Sequence, residues 1–335
     1  MVKNKKHLFF ILKLGIAGLL LFLLIRTLKW SEISRVLKNP RDPWMIVFAL
    51  FLLVPNLALQ SLRWHYLLRL HRDTIRPRDS VRSLLGGMVT GFITPGRIGE
   101  MGRYLFLEKQ DQWEAVGLVF VDKFYSFVII LVAGFWSMVI FLNHLIPVFR
   151  FLTWPVSIVA ILITAGGLFL ALHPNWLRNG IYQISLIFPY RDRFKGLIEV
   201  MDRFGKKRAR CFIGLTGVMY CIYTLQFCLL IRAFAPVPWY ELIIITSATV
   251  FTKTLLPIAL ADLGIREGAA VFFMRHLGRD PAAAFNSSLL IFIINILIPT
   301  LLGLIFLPGL GAGMQNNRTN GESVECVPES RRRSP

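Results

Sequence analysis

Long uninterrupted apolar runs set the pattern of this chain. Crossing the ~30 Å hydrocarbon core of a bilayer takes roughly 20 apolar residues in a helix. Leu8–Ile25, Trp44–Leu62, Val116–Leu142, Leu152–Leu172, Phe212–Ile231 and Ala283–Leu307 meet or approach that length. Six spanning helices are expected. The first is retained as a membrane anchor, because no small-residue cleavage site follows it and Arg26 to Trp30 is bulky. Between the spans, Trp30, Ile33, Val36 and Leu37 recur at helical spacing among basic residues and read as an interfacial helix or a loop. Phe194, Leu197, Ile198 and Met201 repeat the spacing in a strongly basic segment, expected to lie on the cytoplasmic leaflet.

Two stretches depart from the spanning pattern. The apolar part of 83–103 stops at Pro95-Gly96 after about a dozen residues, ~18 Å if helical, too short to cross. Arg97, Glu100 and Arg103 follow at once. The stretch 242–273 has the same layout, its apolar arm ending at Pro257 ahead of Asp262, Gly264, Arg266 and Glu267. A short apolar helix broken by Pro or Gly and followed by charge suits a re-entrant hairpin that turns near mid-membrane. Counting spans puts the mouths of the two hairpins on opposite faces. The expected fold is therefore an all-α, polytopic membrane protein of about six spanning helices plus two re-entrant helical hairpins in a pseudo-symmetric inverted repeat. One integral membrane domain takes 1–309, with halves at about 44–142 and 152–307, and 310–335 is read as a disordered polar cytoplasmic tail.

Composition agrees and adds a direction. With 55% hydrophobic and 17% charged residues the chain is too apolar for an ordinary soluble domain. Its net charge of +19 raises the question of nucleic acid. With the N-terminus cytoplasmic, however, twenty-two Lys and Arg fall inside and nine outside. The positive-inside rule then places both termini in the cytoplasm of a cell with this protein in its inner or plasma membrane, and anionic lipid accounts for the basicity. No nucleic-acid partner is expected.

Charge within a span costs roughly 2.5–3.5 kcal/mol at the helix centre, so such residues pair or face a polar cavity. Arg97, Arg103, Lys123, Lys253 and Arg266 are the candidates for binding an anionic lipid headgroup, and Glu100, Asp122, Asp262 and Glu267 for charge pairing or coupling. Arg97 and Glu100 are three apart and Asp262 and Arg266 four apart, spacings that share a helical face. Pro95, Gly96, Gly99, Pro257 and Gly264 are the hairpin breaks. The competing reading has all these charges pairing structurally at the interface. Gly87 and Gly91 are spaced for close packing against a neighbouring helix. Arg63 closes the second span within an aromatic and basic belt, where a lipid phosphate is also within its reach. No DxD, HExxH, GxSxG or Walker A motif occurs, and the six histidines are scattered, so no enzyme activity, metal or cofactor is expected. Cys211, Cys221, Cys228 and Cys326 lack metal-ligand spacing and read as small core residues.

The runs Thr94-Pro-Gly-Arg-Ile-Gly-Glu-Met-Gly-Arg103, Val121-Asp-Lys-Phe124 and Leu263-Gly-Ile-Arg-Glu-Gly268 resemble the flippase-like membrane family named for the transmembrane region of lysylphosphatidylglycerol synthase. The resemblance extends over roughly Leu8 to Leu307. It implies a lipid-translocating unit acting without aminoacylation, since no transferase domain is read here, on a phospholipid, hopanoid or lipid-linked glycan precursor. Where the family's second motif usually has Gly-Gly-Leu-Gly, this chain has Ala261-Asp262-Leu263-Gly264, which adds a negative charge. The alternatives are a membrane-embedded lipid-modifying enzyme with Glu100 or Asp122 as base, or a partner protein of a glycosyltransferase or lipid synthase.

Overall fold

The computed structural model describes residues 30–70, 74–94, 97–107, 112–145, 150–187, 191–256 and 263–306. The anchor expected at Leu8–Ile25, the tail 310–335, Cys326, Pro95, Gly96, Pro257 and Asp262 lie outside the described residues. The architecture is all-helical, 88% helix with no strand among the described residues. In chain order the helices are α1 (Trp30–Lys38), α2 (Pro43–Phe51), α3 (Leu53–Arg69), α4 (Pro77–Ile93), α5 (Gln112–Leu145), α6 (Arg150–Leu172), α7 (Pro174–Ile187), α8 (Arg191–Arg203), α9 (Lys206–Phe234), α10 (Trp239–Leu255), α11 (Ile265–His276), α12 (Pro281–Phe292) and α13 (Ile298–Leu304). A 3-10 run, Ile98–Phe106, follows α4, and a π-helical turn, Ile293–Leu297, joins α12 to α13.

Five segments are long and apolar enough to cross a membrane: Pro43–Arg69, Val116–Asn143, Thr153–Leu172, Lys206–Phe234 and Pro281–Leu304. They correspond to the five expected spans that fall within the described residues. Two begin with the sequence signals of a helix start, proline at the first position behind a capping aspartate. Asp42 accepts from the Trp44 N–H at 3.2 Å, and Asp280 from the Ala282 N–H at 2.9 Å. Trp44, Phe51, Val54, Trp154, Ile161 and Leu162 are exposed, the composition of a surface that faces lipid rather than water.

Two hydrophobic cores occupy opposite ends of the bundle. Helix α9 contributes Phe212 to one and Phe227 to Ile231 to the other, while α5 contributes Leu118 to Val128 and then Phe141. Helix α4 belongs to the first core through Leu84, Leu85 and Met88, and its 3-10 return packs against α4. Helices α10 and α11 belong to the second through Leu242, Ile245, Ala270 and Phe273. Each broken segment thus packs as a helix, a break and a return, one at each end. The first arm is longer than the sequence pattern indicated, because helix α4 begins at Pro77 and recruits the polar turn 78–82.

The α4 return packs tightly because α4 presents glycine to it. A Cβ on Gly91 would stand 2.6 Å from Glu100 Cγ, and one on Gly87 would overlap Arg103 Cγ. The Gly87/Gly91 pair therefore serves its own hairpin rather than a neighbouring span. Helix α1 forms as the amphipathic pattern indicated, with Val36 against the second core and the helix leaning on α12. The basic segment also forms a helix. In α8, Leu197, Ile198, Val200 and Met201 pack in the first core against α5, so the protein itself supplies an apolar surface for this stripe. Cys228 is buried as expected, whereas Cys211 and Cys221 lie on the exposed side of α9.

Candidate functional site

The turn of the first hairpin is built from threonine and glycine. Thr94 Oγ1 accepts from the Gly99 N–H at 2.6 Å, and Thr90 Oγ1 donates to the Gly99 carbonyl at 2.6 Å. A side chain on Gly99 would collide with the Thr90 carbonyl. Arg97 sits at φ 57°, a left-handed conformation that costs a non-glycine residue roughly 1–3 kcal/mol unless its surroundings hold it. Its guanidinium is held by Glu100 at 2.5 Å.

Around that turn lies a dense ion network. Glu100, 1% exposed, also binds Arg103 at 3.0 Å and pairs with Lys123. Asp122, equally buried, binds Arg63 at 2.7 Å and Arg103 at 3.1 Å. Arg63 further donates to Ser126 at 2.9 Å and Thr216 at 3.2 Å. Phe212 and Trp64 cover the Arg63 and Arg103 guanidiniums at 5.4 and 5.1 Å. Four cations thus face two carboxylates. The buried Nε–H groups of Arg63, Arg97 and Arg103 have no acceptor among the described residues.

These side chains line a cavity of about 200 Å³ between the two cores. Arg97, Glu100 and Arg103 come from the first hairpin, Asp122 and Lys123 from α5, Arg63 from α3, and Val250 and Lys253 from the last turns of α10. Lys253 lies over the Tyr223 ring at 5.9 Å. Four of the five basic candidates therefore meet in one space contributed by both broken segments. Lys123, 47% exposed, is the most open of the paired cations.

Arg266 is the exception and corrects the expected site. It is fully buried against Glu267 at 2.6 Å and Ser288 at 3.0 Å, with Phe292 over its guanidinium at 5.4 Å, and it does not line the cavity. Glu267 in turn accepts from the Gly264 N–H at 2.6 Å and from Ser288 at 3.1 Å. Gly264 stands at φ 87°, where glycine is required, and the start of α11 is capped by its own Glu267. The hairpins meet where Phe92 and Leu263 both pack on Phe292 and Ile296, beside the π-helical turn.

The spacing of Asn56, Gln60 and Arg63 is i, i+4, i+7. One face of α3 therefore carries polar residues into the cavity, a signal that an average over an apolar window conceals. Arg63 is central to this cavity. Asn56 Nδ2 donates to Asn295 at 2.8 Å and Gln226 at 3.2 Å, Asn295 Nδ2 donates to Gln226 at 3.2 Å, and Gln226 Nε2 donates to the Ala49 carbonyl at 2.9 Å. This amide cluster, unforeseen in the sequence reading, joins α3, α9 and the last span. Among the described residues no group of three His, Cys, Asp or Glu side chains is placed to hold a metal. No curated protein matches the chain. The family model described as lysylphosphatidylglycerol synthase TM region matches residues 10–303.

Proposed function

The chain belongs to the lysylphosphatidylglycerol synthase TM-region family, and from that premise we propose that it is a lipid flippase or transporter whose cavity holds the phosphate of a lipid headgroup. The observation that carries this reading is the excess of cations over carboxylates lining the cavity, where Arg63, Arg97, Arg103, Lys123 and Lys253 meet Glu100 and Asp122. A phosphate accepts charge-assisted hydrogen bonds from such cations and offsets part of the excess charge. Arg97 and Lys123, the less buried cations, meet it first, while Glu100 and Asp122 keep the cluster assembled when it is empty. The acyl chains remain in the bilayer.

In this reading the two broken segments are re-entrant hairpins of an inverted repeat in an inner or plasma membrane, with both termini cytoplasmic. Their packing at opposite ends of the bundle and contact at Phe292 support that arrangement. The protein acts without covalent chemistry. Glu100 and Asp122 have their oxygens committed to cations, which leaves neither available as a general base. The test is mass spectrometry of lipids retained by the gently purified protein. A phosphate-bearing lipid should be enriched over the membrane average and lost from Arg97→Ala/Lys123→Ala. Retention of neutral lipids alone, or an unchanged lipid profile in the variant, overturns the reading.

A further inference from the structure

The last span, Pro281–Leu304, is one apolar run in the sequence but two helices in the structure. Helix α12 belongs to one end of the bundle: Ala283, Ala284 and Phe285 lie in the second core, and the helix packs on α9 and α11. Helix α13 goes with the first hairpin. It packs on α4 so closely that a Cβ on Gly303 would overlap the Leu85 carbonyl oxygen and stand 2.7 Å from Val89 Cγ2. Between the two helices the chain turns as a π helix over Ile293–Leu297, where the Ile298 N–H reaches back five residues to the Ile293 carbonyl. Pro299 follows, with no N–H to offer the Asn295 carbonyl four residues before it. π turns and prolines are two of the ordinary causes of a bend in a helix, and isolated π turns concentrate at functional positions.

This joint carries a polar fastening within an apolar span. Asn295, in the middle of the π turn, accepts from Asn56 on α3 and donates to Gln226 on α9, and Gln226 is tied in turn to the Ala49 carbonyl on α2. All three amides are at most 8% exposed. Buried amides of this kind favour the one arrangement that pairs them, because leaving it strands desolvated groups. The joint is also part of the cavity wall, which Asn56, Asn295 and Ile296 line.

We propose that the π turn is a hinge on which α13, together with the α4 arm packed against it, moves relative to α12, and that the Asn56, Gln226 and Asn295 amides are the catch that holds the arrangement seen. Hinges of this kind are a few residues at the ends of elements that absorb a change in backbone angle between two packed bodies. Here the movement shifts the first hairpin, which brings Arg97, Glu100 and Arg103, against the wall formed by α3, α9 and the last span. Access to the cavity changes with it, whatever the cavity holds.

The test uses the full chain in nanodiscs of phosphatidylcholine, with one spin label on the native Cys211 of α9, another at Leu302→Cys of α13, and the remaining cysteines replaced by alanine. A second pair, Cys211 and Val47→Cys, spans α9 and α2, which pack together on one side of the hinge. All three positions are exposed. Distances are read by double electron–electron resonance with no added ligand. With the amides intact, the label at position 302 should give one dominant distance to Cys211. Asn295→Leu removes two hydrogen bonds of the cluster and Gln226→Met three, and a second distance should gain on the first by roughly threefold to tenfold for each bond lost. The α9–α2 distance should stay as it is. Adding Pro299→Ala to Asn295→Leu, which restores the N–H that an unbroken helix uses, should return the distribution toward a single peak. One unchanged distance in both amide variants overturns the hinge. Equal broadening of both label pairs overturns it too, since that marks a loosened bundle rather than a joint. Either result leaves the lipid-phosphate reading standing, because retained lipid tests that reading separately.

Discussion

Asp122→Asn isolates the part of the ion network that holds the bundle together. The carboxylate accepts from Arg63 and Arg103 on its two oxygens at 2.7 and 3.1 Å, and all three side chains are at most 6% exposed. An amide of the same shape keeps one acceptor and turns a donor toward a guanidinium. It leaves either Arg63 with only hydroxyl partners or Arg103 with Glu100 as its one remaining carboxylate. Removing one partner of a buried pair costs roughly 3–5 kcal/mol, because the other charge stays behind without compensation. Arg63→Met is expected to cost less, roughly 1.5–3 kcal/mol, the worth of hydrogen bonds to a charged group. In that variant Asp122 keeps Arg103, while Ser126 and Thr216 keep backbone acceptors on Asp122 and Phe212. The double variant should cost less than the sum of the two by at least about 1 kcal/mol, since the groups share one network. Reversible unfolding in mixed detergent and SDS micelles, followed by tryptophan fluorescence, reads these differences directly. An Asp122→Asn variant no less stable than Arg63→Met, or additive costs, would refute the shared buried network.

Gly91→Val should destabilise the protein by roughly 1–3 kcal/mol, the usual cost of overpacking, because even its Cβ meets the Glu100 side chain. Gly214→Ala, with open space around its position in α9, should be neutral or stabilising by up to about 1 kcal/mol; similar unfolding midpoints for the two variants would contradict the hairpin packing. Phe292→Ala removes the ring that Phe92 packs on at 6.2 Å and that covers Arg266, and should cost roughly 3–5 kcal/mol in the same unfolding assay. Phe92→Ala, which leaves Arg266 covered, should cost measurably less. Lys123→Ala, by contrast, should preserve the fold, because Arg97 and Arg103 still neutralise Glu100, and should weaken anionic-lipid binding.

The spans were legible because the free-energy demand that defines them is local: a run of about 20 apolar residues reports itself wherever it occurs. The breaks were legible for a similar reason, since Pro95, Gly99 and Gly264 interrupt apolar arms in the sequence itself. Partnership is not local. Arg97 and Arg266 each follow such a break, yet Arg97 faces the cavity and Arg266 is neutralised by Glu267 under Phe292. The side facing outward depends on how α11 packs against α12, which no spacing rule encodes. Ending an apolar run, Arg63 reads from the sequence as a belt residue. Its burial follows from Asp122, brought to it by a helix 59 positions away. Asn56, Gln226 and Asn295 were passed over for the opposite reason, each being a single polar residue diluted within a long apolar window. The α8 stripe shows the same ambiguity: an apolar face can be satisfied by lipid or by protein, and only the tertiary structure chooses.

The central claim is that the cavity carries a phosphate-bearing lipid between leaflets. Its most direct test reconstitutes the purified chain in liposomes with labelled phosphatidylglycerol and follows the label's accessibility from outside. Movement should be faster than in protein-free vesicles and fall toward that background in Arg97→Ala/Lys123→Ala with unfolding stability retained. Rates equal to empty vesicles, tested also with other anionic and isoprenoid phosphate lipids, would contradict the account.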